Sequence, residues 1–281
     1  MRNCITMRRQ AEQRTLLAAR SLPRVALAVA AALSMILTAS PACASWRATA
    51  DSLFAEADAS FGQAAYAEAA GLYARTVAVV DSNAGDAPPA YLSELVARAR
   101  FLEARSHEYM KEWDDALAGY AVSLVELSEI EDYVRMRVAA CHAGTDNVEL
   151  AMSELRVVID DGIDAAFDLP AMLQLASLYE ESGGYDMALQ WYRLFLAESA
   201  TYEDRALAHY RIGRTYEGRG DKESAQRSYA EAVEDYPRSR HAHDALTRGR
   251  KISRRFADRY HQGLVLYNRK RYQDAVEFFT Y

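Results

Sequence analysis

Small and large apolar residues recur along the chain at fixed distances from a repeated alanine. This anchor alanine occurs six times, as Ala69, Ala116, Ala151, Ala188, Ala225 and Ala275. Four positions after each anchor stands a large residue: Tyr73, Tyr120, Leu155, Tyr192, Tyr229 and Phe279. Twelve positions before each anchor stands a small one: Ala57, Ala104, Ala139, Ala176, Gly213 and Gly263. Six matches in register indicate an internal repeat.

The pattern predicts that each repeat is a pair of antiparallel helices. Small residues at a crossing point let two helix backbones approach, and a large ring one turn after the anchor fills the space beside the next pair. Gly183-Gly184 and Gly218–Asp221 separate first helices from second helices, and Pro237 ends a second helix. With only 13 Gly and 6 Pro in 281 residues, the composition also favours an all-α protein.

Two of the intervals between anchors are longer than the rest. The first and last are 47 and 50 residues, against 35 to 37 for the others. We expect a loop at residues 81–89, which contain two prolines, and an added helix at residues 240–255.

Residues 206–239 carry the most complete version of the repeat. Their signature positions are Ile212, Gly213, Tyr216, Ala225, Tyr229, Ala232 and Pro237. On these positions the chain resembles the tetratricopeptide repeat (TPR) family, from about residue 50 onward. The resemblance implies a right-handed superhelical solenoid of about six TPR-like antiparallel helix pairs. The repeat around Ala151 departs from the pattern, and Phe195 and Ala200 stand where the better repeat has Ala232 and Pro237.

The first 44 residues have the order of an export signal. Six arginines precede the apolar segment 25–39, and Ala42-Cys43-Ala44 supplies the small residues of a cleavage site. We expect a signal peptide at 1–44, a periplasmic or cell-envelope location, and a TPR-like domain at 45–281 with its last repeat incomplete. The apolar segment is shorter than the roughly 20 residues of a spanning helix, so we expect no transmembrane span after cleavage. Ser40-Pro41-Ala42-Cys43 leaves open a lipoprotein with Cys43 as its lipidated first residue.

Charge is distributed unevenly along the rest of the chain. Residues 45–200 contain 10 basic and 27 acidic residues, whereas residues 201–281 contain 17 basic and 12 acidic residues. This asymmetry indicates charged partners or stacking between copies. Cleavage would leave Cys141 as the single cysteine, which we expect to be a small buried hydrophobic residue.

Motifs that carry chemistry are missing from the sequence. It has no His-Glu-x-x-His or Cys-x-x-Cys spacing, no Gly-rich phosphate loop and no nucleophile elbow. His107 and His142 fall where Tyr179 and Tyr216 fall in later repeats, which indicates packing residues. Glu198-Ser199 lacks the downstream sequence of a lytic transglycosylase site. We therefore expect a protein that is not an enzyme, with no catalytic residue, metal or cofactor.

One large residue in each first helix could line a groove for a partner. These residues lie fifteen positions before each anchor: Phe54, Phe101, Met136, Leu173, Tyr210 and Tyr260. Packing between neighbouring first helices explains them equally well, and burial separates the two interpretations. If they are buried, polar neighbours become the better candidates: Arg105, Glu180, Arg214 and Glu217.

A basic segment follows the fifth repeat. Its cations are Arg238, Arg240, Arg248, Arg250, Lys251, Arg254, Arg255 and Arg259. Because few aromatics are interleaved and export is expected, we do not expect nucleic acid as a partner. The segment is either a solvated helix face or a site for peptidoglycan, another anionic polymer or an acidic protein.

Two functions are consistent with these observations. The first is a non-enzymatic scaffold that holds other proteins of the cell envelope in the groove that repeat solenoids form. The second follows from a resemblance of residues 260–275 to repeats of soluble lytic murein transglycosylases, a resemblance that these residues share with repeat proteins of the Tol-Pal and outer-membrane assembly systems. It would make the chain the N-terminal helical superhelix of such an enzyme, with the catalytic domain missing from this chain.

Overall fold

A computed structural model describes residues 41–84, 88–161, 165–253 and 257–280. Within these ranges the regular structure consists of 13 α-helices and one 3-10 turn, Ser128–Ile130, with no strand. The predicted signal peptide lies outside the described residues except for Pro41 to Ala44, at the start of the first helix. The chain divides into two compact units, of which the first ends at Glu129 and the second begins at Ile130.

Among its described residues, the first unit contains four helices, each packed against the next along the chain. They are α1 (Pro41–Gly62), α2 (Tyr66–Ala84), α3 (Ala90–Met110) and α4 (Trp113–Glu126). The predicted loop at 81–89 is shorter than expected, because α2 continues through Ala84. Its residues Asp81 and Asn83 remain helical, and the side-chain amide of Asn83 bonds the carbonyl of Val79 one turn earlier.

The second unit contains nine helices among the residues described. They are α5 (Glu131–Gly144), α6 (Val148–Asp161), α7 (Ala165–Glu181), α8 (Tyr185–Glu198), α9 (Tyr202–Arg219), α10 (Lys222–Asp235), α11 (Arg240–Ile252), α12 (Arg259–Asn268) and α13 (Tyr272–Phe279). Each packs on its neighbours in the chain, and α9 also packs on α11. Helix α11 is the added helix that the 50-residue interval predicts.

The core follows the repeat pattern. All six anchor alanines are buried, and so are the rings of four residues four positions later: Tyr73, Tyr120, Tyr192 and Tyr229. The small residues stand at the crossings, as expected: a Cβ added to Gly213 would lie 2.6 Å from the ring of Tyr229. Cys141 is buried, which confirms the interpretation from its sequence position.

Local signals fix the ends of the helices that carry the site. Thr201 begins α9 by accepting a hydrogen bond from the backbone N–H of Asp204, and Asp221 begins α10 in the same way through Ser224. Gly220, at φ = +90°, ends α9 in the left-handed conformation that glycine adopts without strain. The backbone geometry at Gly220 and Asp221 therefore joins the two helices of this repeat through a short turn.

The last helix pair is less completely covered. In α13 only Ala275 is buried, while Tyr272, Val276 and Phe279 are exposed. None of the helices formed by the described residues is long and apolar enough to cross a membrane.

Candidate functional site

A cleft of about 420 Å³ opens on the second unit, where first helices α7 and α9 and the added helix α11 come together with the start of α8. Its walls are mainly charged. The lining residues are Ser177, Glu180, Glu181, Tyr185, Arg211, Arg214, Glu217, Gly218 and Arg248. Three of the four polar residues that the sequence offered as alternative groove candidates, Glu180, Arg214 and Glu217, therefore lie in one cleft.

Buried tyrosines position the two central acids of the cleft. Glu180 and Glu217 each stand eight residues before their anchor alanine, near the end of a first helix. The hydroxyl of Tyr192 donates to Glu180 Oε2 at 2.9 Å, and the hydroxyl of Tyr229 donates to Glu217 Oε2 at 2.7 Å. Since both tyrosine rings are fully buried, each carboxylate is held by a group that cannot move independently of the core.

These contacts change the ionisation of the tyrosines. Burial of the rings is the main reason that the pKa of Tyr192 and the pKa of Tyr229 lie well above the ordinary value of 10.0. The neighbouring charges of Glu180 and Glu217 raise them further, because a phenolate beside a carboxylate is repelled. Both hydroxyls therefore remain donors at neutral pH.

Each of these two acids also pairs with an arginine, which comes from a helix two further along the chain. Arg214 Nη2 lies 3.2 Å from Glu180 Oε1, which joins α9 to α7. Arg248 Nη1 donates to Glu217 Oε2 at 3.0 Å, which joins α11 to α9. Burial works to lower the pKa of Arg248, but hydrogen bonds with Tyr210 and Glu217 outweigh it and raise the pKa. The result is an alternating row of Glu180, Arg214, Glu217 and Arg248, which we call the charge ladder.

Arg211 is the cation of the cleft that the ladder does not use. Within the part of the chain that the structure describes, its guanidinium makes no ion pair, and its buried Nε has no hydrogen-bond partner. It stands one turn before Arg214 on α9 and faces the same cleft. A buried donor without an acceptor is costly, so this position favours a ligand that supplies an oxygen.

The six large residues predicted for the groove do not share one environment. Phe54 and Met136 are buried, Phe101, Leu173 and Tyr210 are half-buried, and Tyr260 is 58% exposed. Four of them pack against the ring that follows their own anchor, with centroid distances of 5.6 to 6.1 Å: Phe54, Phe101, Tyr210 and Tyr260. This arrangement favours the packing interpretation, and contact with a partner stays a prediction for these residues.

The remaining polar candidate, Arg105, lies in the first unit. Its Nε is 3.7 Å from Glu108 Oε2, and its guanidinium lies over the ring of Tyr109. Glu108 accepts a hydrogen bond from the buried Tyr120, so this repeat contains the same tyrosine–acid pair as the cleft.

The basic segment is divided among several environments. Arg248 points into the cleft, and Arg250 and Arg259 lie over the ring of Phe278 at 5.1 and 5.4 Å. Arg240 contacts His241, whereas Arg238 and Lys251 are exposed. Arg254 and Arg255 lie outside the described residues. Binding of an anionic polymer to this segment stays a prediction, but Arg248 is already engaged by Glu217.

Known proteins share the fold. A family model described as a tetratricopeptide repeat-like domain matches residues 123–248. The solved C-terminal part of a TPR repeat-containing protein from Cytophaga hutchinsonii is 14% identical, with 80% of this chain and 84% of that chain covered and a TM-score of 0.56. TPR-like repeats of a putative kinesin light chain from Podosopora anserina are 15% identical, with 70% and 95% covered and a TM-score of 0.52.

A third similar structure is that of MamA, at 15% identity, with 66% of this chain and 91% of that chain covered and a TM-score of 0.50. No curated protein sequence matches the chain significantly. Identities this low establish the fold and nothing finer. The chain therefore has the fold of tetratricopeptide-repeat proteins, and its residues 123–248 match the family model of a tetratricopeptide repeat-like domain.

Proposed function

We propose that the protein is a non-enzymatic scaffold that binds a segment of another protein in the cleft between α7, α9 and α11. The observation that carries the proposal is the charge ladder together with Arg211. The ladder fixes the shape of the cleft without a ligand, and Arg211 keeps a donor for one. Preorganisation of this kind reduces the entropy lost on binding.

The chemistry of the cleft indicates what the bound segment contains. The four residues of the charge ladder already pair with one another. They therefore define the shape of the cleft and the register of a bound segment more than they attract it. Arg211 and the exposed Glu181 remain to recognise the partner. A short segment with one carboxylate for Arg211, and backbone N–H groups for Glu181, fits a cleft of this size.

The N-terminal sequence supports a place for this scaffold in the cell envelope, where its partners would be envelope proteins. Among residues 45–62 of α1, whose burial the structure describes, the first fully buried one is Ala50, and Trp46 packs at the edge of the same cluster. Cleavage after Ala44 therefore removes no residue of the described core. Mass spectrometry of the mature N-terminus tests this part of the proposal: Ser45 supports it, a lipid-modified Cys43 would keep the envelope location but anchor the protein to a membrane, and an intact N-terminus contradicts it.

Site-specific photo-crosslinking in the source cells tests the cleft itself. A photoreactive residue at Glu181, on the cleft, should capture a defined protein band. The same residue at Glu223, which is exposed on the second helix α10 and does not line the cleft, is the matched control. Combining the Glu181 probe with Arg211→Ser should reduce the yield of that band.

Equal yields from the two positions would contradict the proposal. So would an Arg211→Ser variant that crosslinks as strongly as the parent protein. Because Arg211 makes no ion pair within the described residues, its replacement removes ligand recognition without breaking the ladder.

A further inference from the structure

Three potential metal ligands converge at the turn between α3 and α4 in the first unit. They are His107, Glu112 and Asp115, and one ligand atom of each lies within 4.8 Å of the others. His107 Nδ1 and Glu112 Oε2 are 2.7 Å apart. None of these residues belongs to the cleft, so the site is separate from the proposed scaffold function.

The backbone of the turn fixes where the three side chains start. Lys111 ends α3 in the left-handed conformation, at φ = +63°. The N–H of Lys111 bonds the carbonyl of Glu108 at 3.0 Å, and the N–H of Glu112 bonds the carbonyl of His107 at 2.9 Å. This double closure brings the last turn of α3, which contains His107, against the first turn of α4, which contains Asp115.

Glu112 departs from the usual role of its position. It stands immediately before α4, yet its side chain makes no capping hydrogen bond with that helix. At the equivalent position before α10, Asp221 accepts the backbone N–H of Ser224 at 3.0 Å. The carboxylate of Glu112 is directed instead at His107, which leaves the start of α4 without a side-chain cap.

The charges at the turn are also unbalanced. Within the described residues neither Glu112 nor Asp115 pairs with a lysine or arginine, and the one ion-pair contact of Glu112 is His107. Two carboxylates this close repel each other unless a cation lies between them. The half-buried imidazole and the two exposed carboxylates therefore form a negatively charged surface cluster with a nitrogen donor on one side.

We propose that His107, Glu112 and Asp115 bind one divalent transition-metal ion, with water in the remaining position. An imidazole nitrogen and two carboxylate oxygens are ligands of Zn²⁺, while the nitrogen makes Mg²⁺ and Ca²⁺ poor occupants. The ion replaces the proton that joins His107 to Glu112, and it neutralises the two acids. It also pins the end of α3 to the start of α4.

Isothermal titration of the tag-free full chain with ZnCl₂, after treatment with EDTA, tests the site. We expect one bound ion with His107 as a ligand. Glu112→Gln and Asp115→Asn keep the size of exposed side chains and should weaken binding by about 10- to 100-fold or more. His107→Ala should do the same, and circular dichroism of each variant checks that it folds.

A second histidine offers a matched control. His209 Nδ1 lies 3.0 Å from Glu231 Oε2, so it forms a similar pair, but no third ligand joins it among the described residues. His209→Ala should leave the high-affinity titration unchanged. The proposal is overturned if the parent chain does not bind Zn²⁺, if Glu112→Gln and Asp115→Asn bind as the parent does, or if His209→Ala removes the same binding.

Discussion

The hydroxyl of Tyr229 donates a 2.7 Å hydrogen bond to Glu217, twelve residues earlier on the facing helix. The ring is fully buried, while the acid lies at the cleft, so this bond connects the core of the repeat to its functional face. Tyr192 and Tyr120 make the same contact with Glu180 and Glu108. Because the buried tyrosine recurs in these three repeats, a carboxylate held by its hydroxyl recurs with it.

Replacing Tyr229 with phenylalanine should destabilise the second unit. The change removes a hydrogen bond to a charged acceptor and keeps the ring, so we expect a loss of about 1.5 kcal/mol. Urea unfolding followed by circular dichroism measures it. Tyr267→Phe is the control, because that ring is 54% exposed and its loss of a hydroxyl should be nearly neutral. Equal effects of the two changes would show that the bond to Glu217 contributes nothing.

Alkaline conditions should unfold the protein through its buried tyrosines. The pKa of Tyr229 is raised above 10.0 by burial and by Glu217, and the pKa of Tyr192 is raised by burial and by Glu180. Below pH 10 the folded and unfolded states both keep these protons, so the two groups do not affect stability. Above pH 10 only the unfolded state loses them, and stability falls by about 1.4 kcal/mol per pH unit for each tyrosine.

Urea midpoints measured between pH 9 and pH 11.5 should show this decline, and tyrosinate absorbance should rise together with unfolding. Tyr229→Phe should make the decline shallower, since one of the coupled groups is gone, whereas Tyr267→Phe should leave its slope unchanged. A slope that Tyr229→Phe does not alter would count against the linkage.

The crossing of α9 and α10 should not tolerate a methyl group. A Cβ at Gly213 would lie 2.6 Å from two ring carbons of Tyr229, so Gly213→Ala should cost about 1–3 kcal/mol of stability. Gly71 is an exposed helical glycine of α2 with no atom within 4 Å of an added Cβ. Gly71→Ala should therefore stabilise by about 0.5–1 kcal/mol. Thermal unfolding distinguishes the two, and a harmless Gly213→Ala would mean that the helices can separate at the crossing.

Helix α13 should exchange its amide protons faster than α9 or α10. It has eight residues and buries only Ala275, whereas α10 buries five residues of its fourteen. Short helices with few buried contacts open locally at low cost. Hydrogen exchange with mass spectrometry of the full chain compares peptides from Tyr272–Phe279 and Lys222–Asp235. Equal protection in both peptides would show that α13 is held as firmly as the central repeat.

The helical repeat and most of its core can be predicted from the amino-acid sequence alone. Anchor alanines, buried rings and crossing glycines recur at fixed spacing, and the size of a side chain decides locally whether two helices can approach. The tyrosine–acid pairs also leave a trace in the sequence. Where Leu155 or Phe279 replaces the tyrosine, the acid position holds Ala143 or Tyr267 instead, but the first repeat departs from this rule, since Tyr73 has Phe61 at that position and donates to Asp58. This co-occurrence could have identified Glu108, Glu180 and Glu217 as partners of the rings.

The pairing of charged residues, in contrast, depends on the fold and could not be predicted from the sequence. Arg214 pairs with Glu180 across 34 positions and Arg248 with Glu217 across 31, and both pairings depend on how neighbouring helices are placed. Arg248, which the sequence places in a basic segment, therefore lines the cleft. Arg211 is the cation of the cleft that makes no ion pair within the described residues. His107, Glu112 and Asp115 converge for the same reason. Their spacing crosses a turn, so no single helical period could bring them together, whereas the backbone reversal at Lys111 does.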